Sequence, residues 1–278
     1  MSFIGHVYPA LFYVACGAAM LLQSARAHRC GKDVLYATNG GSRFLRVFGA
    51  LVMGVTMTGI LVEGAGGALT FGNFAAQAAH QSIHLSFFVA GLVCVLESYK
   101  RVPFDSWRLF LSLGFLIEAL VFYGHQLEQS MPESTLHLVM AAFALVTSAT
   151  FFASVWFPRS LLLHALNIVG IFMQGVWLLW IAYVIYTGAF GPKGEGFMMA
   201  DVYMSAGLWL LVVVCLVGAF FTRRGGSDAD ADADAESDFS YASHSVASPT
   251  KYVAIVAEDK APLHPPAAQP CPHQAEQP

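Results

Sequence analysis

Two histidines one helical turn apart, His80 and His84, and a carboxylate seven residues ahead of a third histidine, Glu118 and His125, are the residues of this chain best suited to chemistry. Spacings of four and seven place side chains along one face of a helix. His6, Glu63, His137 and Gln174 extend the set. Neutral imidazoles with carboxylates are ordinary ligands for zinc and related divalent metals. A metal with an open position activates water for hydrolysis. Without a metal, the same groups relay protons or bind a polar ligand, and paired helical histidines can hold haem. The metal reading takes His80, His125 and His137 as ligands, and a hydrolase would use Glu118 as its acid/base. The metal-free reading is a polar cluster of His6, Glu63, His84, Glu118 and Gln174. No spacing decides between them, since there is no His-Glu-x-x-His, and a hydrogen-bond network that locks helices together uses the same residues. No phosphate loop, nucleophile elbow or ordered Ser/His/Asp pattern occurs.

The elements that must carry these residues are apolar. The chain is 56% hydrophobic and 12% charged, against about 25% charged in soluble domains, and its mean hydropathy is +0.59. A helix needs roughly 20 mostly apolar residues to cross a bilayer. Seven segments qualify: 4–24, 44–66, 78–98, 107–124, 136–157, 160–187 and 200–222. No alternation of apolar and polar residues over about 10 positions suggests barrel strands. The expected fold is all-α, a seven-helix transmembrane bundle over residues 1–224.

Charge sets the expected topology. Arg26, Arg29, Lys32, Arg43, Arg46, Lys100, Arg101, Arg108, Arg159, Arg223 and Arg224 fall on one side of the seven spans, and Lys193 alone lies in the loops of the other. Positive loops stay cytosolic, so the N-terminus is expected in the lumen or outside and the C-terminus in the cytosol. The first apolar stretch is followed, not preceded, by positive charge, the order of a span and not of a cleaved leader. Residues 225–278 carry a run of alternating Asp and Ala from Asp228 to Glu236, followed by Ser, His and Pro-rich sequence. This reads as a disordered, acidic cytosolic tail. Cys16, Cys30, Cys94, Cys215 and Cys271 show neither metal spacing nor a disulfide framework. The expected partner is the lipid bilayer, and no basic surface suggests nucleic acid.

Counting along the spans gathers the polar residues near the outer ends. His6 opens the first span, Glu63 nears the end of the second, and His80 opens the third with His84 one turn deeper. Glu118 sits about 9 Å inside the fourth, among Phe115, Leu116, Ile117, Ala119 and Leu120. It must be protonated, paired or facing a wet cavity, and His84 is expected at similar depth. His137 and Asp201 open the fifth and seventh spans, and Gln174 and Trp177 lie mid-way along the sixth. Glu97, beside Lys100 and Arg101, reads as part of a surface ion pair, and His164 as interfacial.

Several of these residues lie in recurring stretches: Gly5-His6 followed by Pro9; Gly59-Ile-Leu-Val-Glu63; His80 followed by Phe87-Phe-Val-Ala-Gly91; Glu118 followed by Phe122-Tyr-Gly-His125 and His137; and Gln174-Gly-Val-Trp177. In this order and spacing, residues 4–222 resemble the transmembrane protein 45 family of eukaryotic seven-span proteins. The resemblance implies the same topology, association with endomembranes (Golgi and secretory compartments) or the cell surface, and His6, Glu63, His80, Glu118, His125, His137 and Gln174 as characteristic polar positions. It implies no established reaction. The chain departs from the family pattern at Leu127, Thr135 and Ala79, where His, His and Gln are usual, which thins a His-rich metal site. The functional expectation is an integral membrane protein whose outward-facing His/Glu cluster binds a metal such as zinc or a small polar ligand. The alternatives are a metal-dependent membrane hydrolase acting on a lipid, and a trafficking or scaffold protein working through its loops and tail.

Overall fold

Hydrocarbon offers no water to satisfy backbone N–H and C=O groups, so each apolar segment closes its own hydrogen bonds as an α-helix. The computed structural model describes residues 3–29, 43–68, 74–127, 133–189 and 195–222. The segment 225–278, expected as an acidic tail, lies outside the described residues. Seven helices account for nearly all of the rest, with no strand among the described residues: α1 (Phe3–Arg29), α2 (Arg43–Ala68), α3 (Phe74–Ser98), α4 (Ser106–Gln126), α5 (Glu133–Trp156), α6 (Leu161–Thr187) and α7 (Glu195–Thr222). All seven are long and apolar enough to cross a membrane. This is an all-α, multispanning membrane protein.

Helix α2 lies on α3, α3 on α4, α4 on α5, α5 on α6, and α6 holds both α1 and α7. Consecutive helices therefore pair, except the first two. Among the described residues α1 and α2 barely touch along their backbones; α1 closes against α6 instead. Small residues permit the tightest crossings. A Cβ added at Gly49 of α2 would stand 2.6 Å from the carbonyl oxygen of Gly91 on α3, and one at Gly175 of α6 would stand 2.7 Å from the carbonyl oxygen of Ala10 on α1. Close backbone approach of this kind replaces the hydrophobic effect that drives helix packing in water.

Polar bridges add to the packing. Ser112 of α4 and Ser148 of α5 each donate to the other's carbonyl, at 2.9 and 2.8 Å. Trp177 of α6 donates from Nε1 to the carbonyl of Leu136 at 3.0 Å, and Asn167 donates to Ser154 Oγ at 2.8 Å. Helix α7 is peripheral, with Met204, Leu208 and Leu211 among many exposed apolar side chains on it. Such a surface belongs against lipid.

At the end of the bundle where α3 passes into α4, two expectations are corrected. Glu97 is 5% exposed. Its carboxylate accepts hydrogen bonds from the backbone N–H groups of Asp105 (2.8 Å) and Trp107 (2.9 Å). It thus satisfies the open N-terminal donors of α4, with the helix dipole in its favour, and is not part of a surface ion pair. The intervening turn needs left-handed backbone at Lys100 (φ 57°) and Asp105 (φ 66°). Asp105 in turn pairs with the buried Arg108 at 2.6 Å. Burial raises the Asp105 carboxyl above its ordinary pKa and the Arg108 guanidinium opposes that shift. His164 is likewise internal, 4% exposed, and not interfacial. Its Nε2 meets Ser24 Oγ. Because that hydroxyl gives its proton to the carbonyl of Met20, His164 is the donor, and the bond ties α6 to α1.

Candidate functional site

At the opposite end, helices α1, α3, α4 and α5 bring four imidazoles into a row. The ring centroids of His80 and His125 are 5.6 Å apart, those of His125 and His137 5.1 Å, and those of His137 and His6 6.4 Å. His6, His80 and His137 are buried; His125 is half-buried. The row ends at Tyr186 of α6, whose ring lies 6.1 Å from that of His6 and which reaches the surface. His137 Nδ1 lies 2.8 Å from the carbonyl oxygen of Glu133, one turn back. A carbonyl only accepts, so Nδ1 carries the proton and Nε2 keeps its lone pair.

Beneath this row, toward the bundle centre, is a narrow pocket that is partly open to the outside. Helix α1 supplies Tyr8, Pro9, Phe12 and Tyr13; α2 supplies Val55 and Thr56; α3 supplies His80, Ile83, His84 and Phe87; α4 supplies Glu118 and Phe122; α6 supplies Leu178. The walls are mostly apolar, with a few polar groups converging, the usual constitution of a small-molecule site.

Glu118 is its polar centre. The side chain is 1% exposed. Oε1 accepts a hydrogen bond from Tyr13 Oη at 3.0 Å, and Oε2 has no hydrogen-bond partner among the described residues. A buried carboxyl oxygen without a partner costs about 1–3 kcal/mol, so a group that supplies a donor there is favoured. Tyr13 is itself held between aromatic rings, stacked on Phe115 and edge-on to Phe87. His84 sits where Gly59 of α2 leaves room: a Cβ at Gly59 would lie 2.6 Å from the His84 ring. Gln174 has both side-chain polar atoms buried without a partner among the described residues. It lies one turn from Leu178 on the same face of α6.

The expected residues therefore divide. His6, His80, His125 and His137 form the row; His84 and Glu118 line the pocket, and His80 belongs to both. Glu63 lies on α2, but its side chain is outside the described residues. Gln174 is not among the pocket's lining residues, and Asp201 is half-buried on α7. The hydrogen bond to Glu118 comes from Tyr13, which the sequence reading did not single out. Its signal was its distance from His6: seven residues put Tyr13 on the His6 face of α1, with Ala10 between them.

For a metal, the donor set is suitable but the arrangement is a row. Among the described residues, no group of three or more His, Cys, Asp or Glu side chains is placed to hold an ion.

Residues 105–205 match a protein family described as a family of unknown function, DUF716. The match runs from the start of α4 into α7 and includes Glu118, His125, His137 and Gln174. Tyr13, His80 and His84 lie before it. The chain is thus similar over roughly a third of its length to a family that brings no reaction with it.

Proposed function

We propose that this protein is an endomembrane or cell-surface member of the transmembrane protein 45 family that binds a small ligand inside its helix bundle. Glu118 is the anchoring group, with Tyr13, Thr56, His80 and His84 around it. One observation carries the reading: among the described residues a buried carboxyl oxygen of Glu118 lacks a partner, beside a mostly apolar pocket. A purely structural carboxylate would be fully satisfied, as Glu97 is by two backbone donors. The positive loops orient the pocket toward the lumen or exterior, with the N-terminus on that side and the C-terminus in the cytosol.

Native mass spectrometry of protein purified in mild detergent tests this. The wild type is expected to retain a bound small molecule, seen as a discrete mass increment, which Glu118→Leu loses while remaining folded and monodisperse. Identical spectra for the two proteins would overturn the reading.

The four-imidazole row supports a second reading, a divalent metal such as zinc on His80, His125 and His137. It requires the three rings to turn from a row toward one ion at about 2.0–2.1 Å. A metal-dependent hydrolase would then use Glu118, which shares the pocket with His80, as its acid/base. Elemental analysis of wild type beside a His80→Ala/His125→Ala double variant separates this reading from the first: stoichiometric metal lost in the variant supports it, and a metal content that the substitutions leave unchanged removes it.

A further inference from the structure

The pocket has a roof and an open side. Toward the helix ends, two of its lining residues are in ring contact with the imidazole row: His80 with His125, and Phe122 with His137 at 5.7 Å. Toward α6, Gly175 seats α1 tightly at Ala10 and Val14. Toward α3, the Gly49 and Gly91 crossing closes α2. Between α1 and α2 the helices barely meet. There Tyr8 Oη of α1 donates to the carbonyl of Val55 on α2 at 3.2 Å, and both residues line the pocket. Leu11, one turn from Tyr8, and Leu51, one turn from Val55, are exposed and apolar, as a lipid-facing surface requires.

Depth agrees with this opening. Glu118 lies eight residues before Gln126, the last residue of α4, so about 12 Å along the axis at 1.5 Å per residue. Half of a hydrocarbon core is about 15 Å. The polar centre of the pocket therefore stands level with the acyl region of one leaflet, and the walls beside it are Pro9, Phe12, Val55, Ile83, Phe87 and Leu178.

We infer that the pocket takes its ligand sideways from the bilayer, between α1 and α2, and that the ligand is a lipid-soluble amphiphile with an amine or hydroxyl head group. The head group donates to Glu118 Oε2, and its apolar body lies along the pocket walls and out through the α1–α2 gap. Tyr8 and Val55 form the threshold. The inference rests on the ligand-binding reading above and adds the ligand's chemical class and its route.

The test uses full-length protein in lipid nanodiscs and three photoreactive, clickable probes: a long-chain primary amine, the fatty acid of equal length, and a short water-soluble amine. The long-chain amine is expected to crosslink to α1 or α2 residues of the pocket, at least tenfold more than the fatty acid, whose ionised head group has no N–H or O–H to donate to Glu118 Oε2. Glu118→Leu is expected to reduce that labelling about tenfold. Val55→Trp, which fills the threshold, should slow it severalfold, and Tyr8→Phe, a minimal change that releases the bridging hydrogen bond, should speed it. If neither threshold substitution changes the rate and the short amine labels the pocket equally well, sideways entry and the lipid class are both overturned while the pocket keeps its ligand-binding reading. If no probe labels the pocket and no bound mass is lost in Glu118→Leu, both readings fail together.

Discussion

Tyr13 and Glu118 face each other across the pocket, and their single hydrogen bond sets what each can do. Glu118 accepts through one oxygen, and the other has no partner among the described residues. Replacing Tyr13 by Phe keeps the ring packing on Phe87 and Phe115 and removes only the donor. The buried carboxyl then has no protein donor at Oε1 either, and the expected loss of stability is about 1–3 kcal/mol, read as a lowered midpoint in denaturant titration of the solubilised protein. A second substitution probes His84 from the neighbouring helix. Gly59→Ala places a methyl group against the His84 ring, so His84 must move. Ligand retention in native mass spectrometry is expected to fall several-fold, with a smaller change in melting temperature; unchanged retention would remove His84 from the site.

At the scale of elements, Glu97 shows how a charged residue becomes structural. It lies in the last turn of α3, and the turn after it carries Lys100 and Arg101, which in sequence look like its partners. The left-handed residues Lys100 and Asp105 instead fold the chain so that α4 starts over the Glu97 carboxylate. Glu97→Gln keeps one acceptor oxygen but points an amide N–H₂ at a backbone N–H. Its expected cost is about 1–3 kcal/mol, measured by the same denaturant titration, and Glu97→Ala should cost at least as much. A result within experimental error of wild type would show that water satisfies the α4 terminus. The Gly49–Gly91 crossing makes a comparable demand on α2 and α3: Gly49→Leu has nowhere to put its side chain except between the two backbones. Separation of α2 from α3 is expected, seen as loss of a monodisperse species in size-exclusion chromatography.

For the whole molecule, orientation and entry route are the testable properties. The proposed orientation, argued from the positive loops, puts the C-terminal ends of α1, α3, α5 and α7 nearest the cytosol and the imidazole row toward the lumen or exterior. An Asn-x-Ser/Thr acceptor on a short polar insertion within 190–194 is expected to be glycosylated in microsomes, whereas the same insertion after Arg224 is not. The reverse pattern would invert the protein in the membrane. Helix α7 contributes little to enclosing the pocket, and its exposed apolar face should accept conservative apolar changes, such as Leu208→Ile, with melting unchanged.

Span number and the presence of a buried carboxylate were legible in the sequence, because a run of apolar residues long enough to cross hydrocarbon has only one way to satisfy its backbone, and an ionisable residue inside such a run stands out. Glu118, His80 and His137 were visible for that reason. Tyr13 was not, since a tyrosine in an apolar segment looks like packing until another helix supplies the acceptor. Glu97 and His164 were misplaced for the converse reason: neighbours in sequence or proximity to a helix end suggested solvent, and only the path of the α3–α4 turn and the docking of α6 on α1 enclosed them. Local chemistry determined which segments are helices and which residues are costly to bury. The tertiary structure alone decided that α1 packs on α6 and meets α2 only sparsely, because close packing of helices depends on where two small residues meet across space. That choice brings Tyr13 of α1 to the carboxyl of Glu118 on α4.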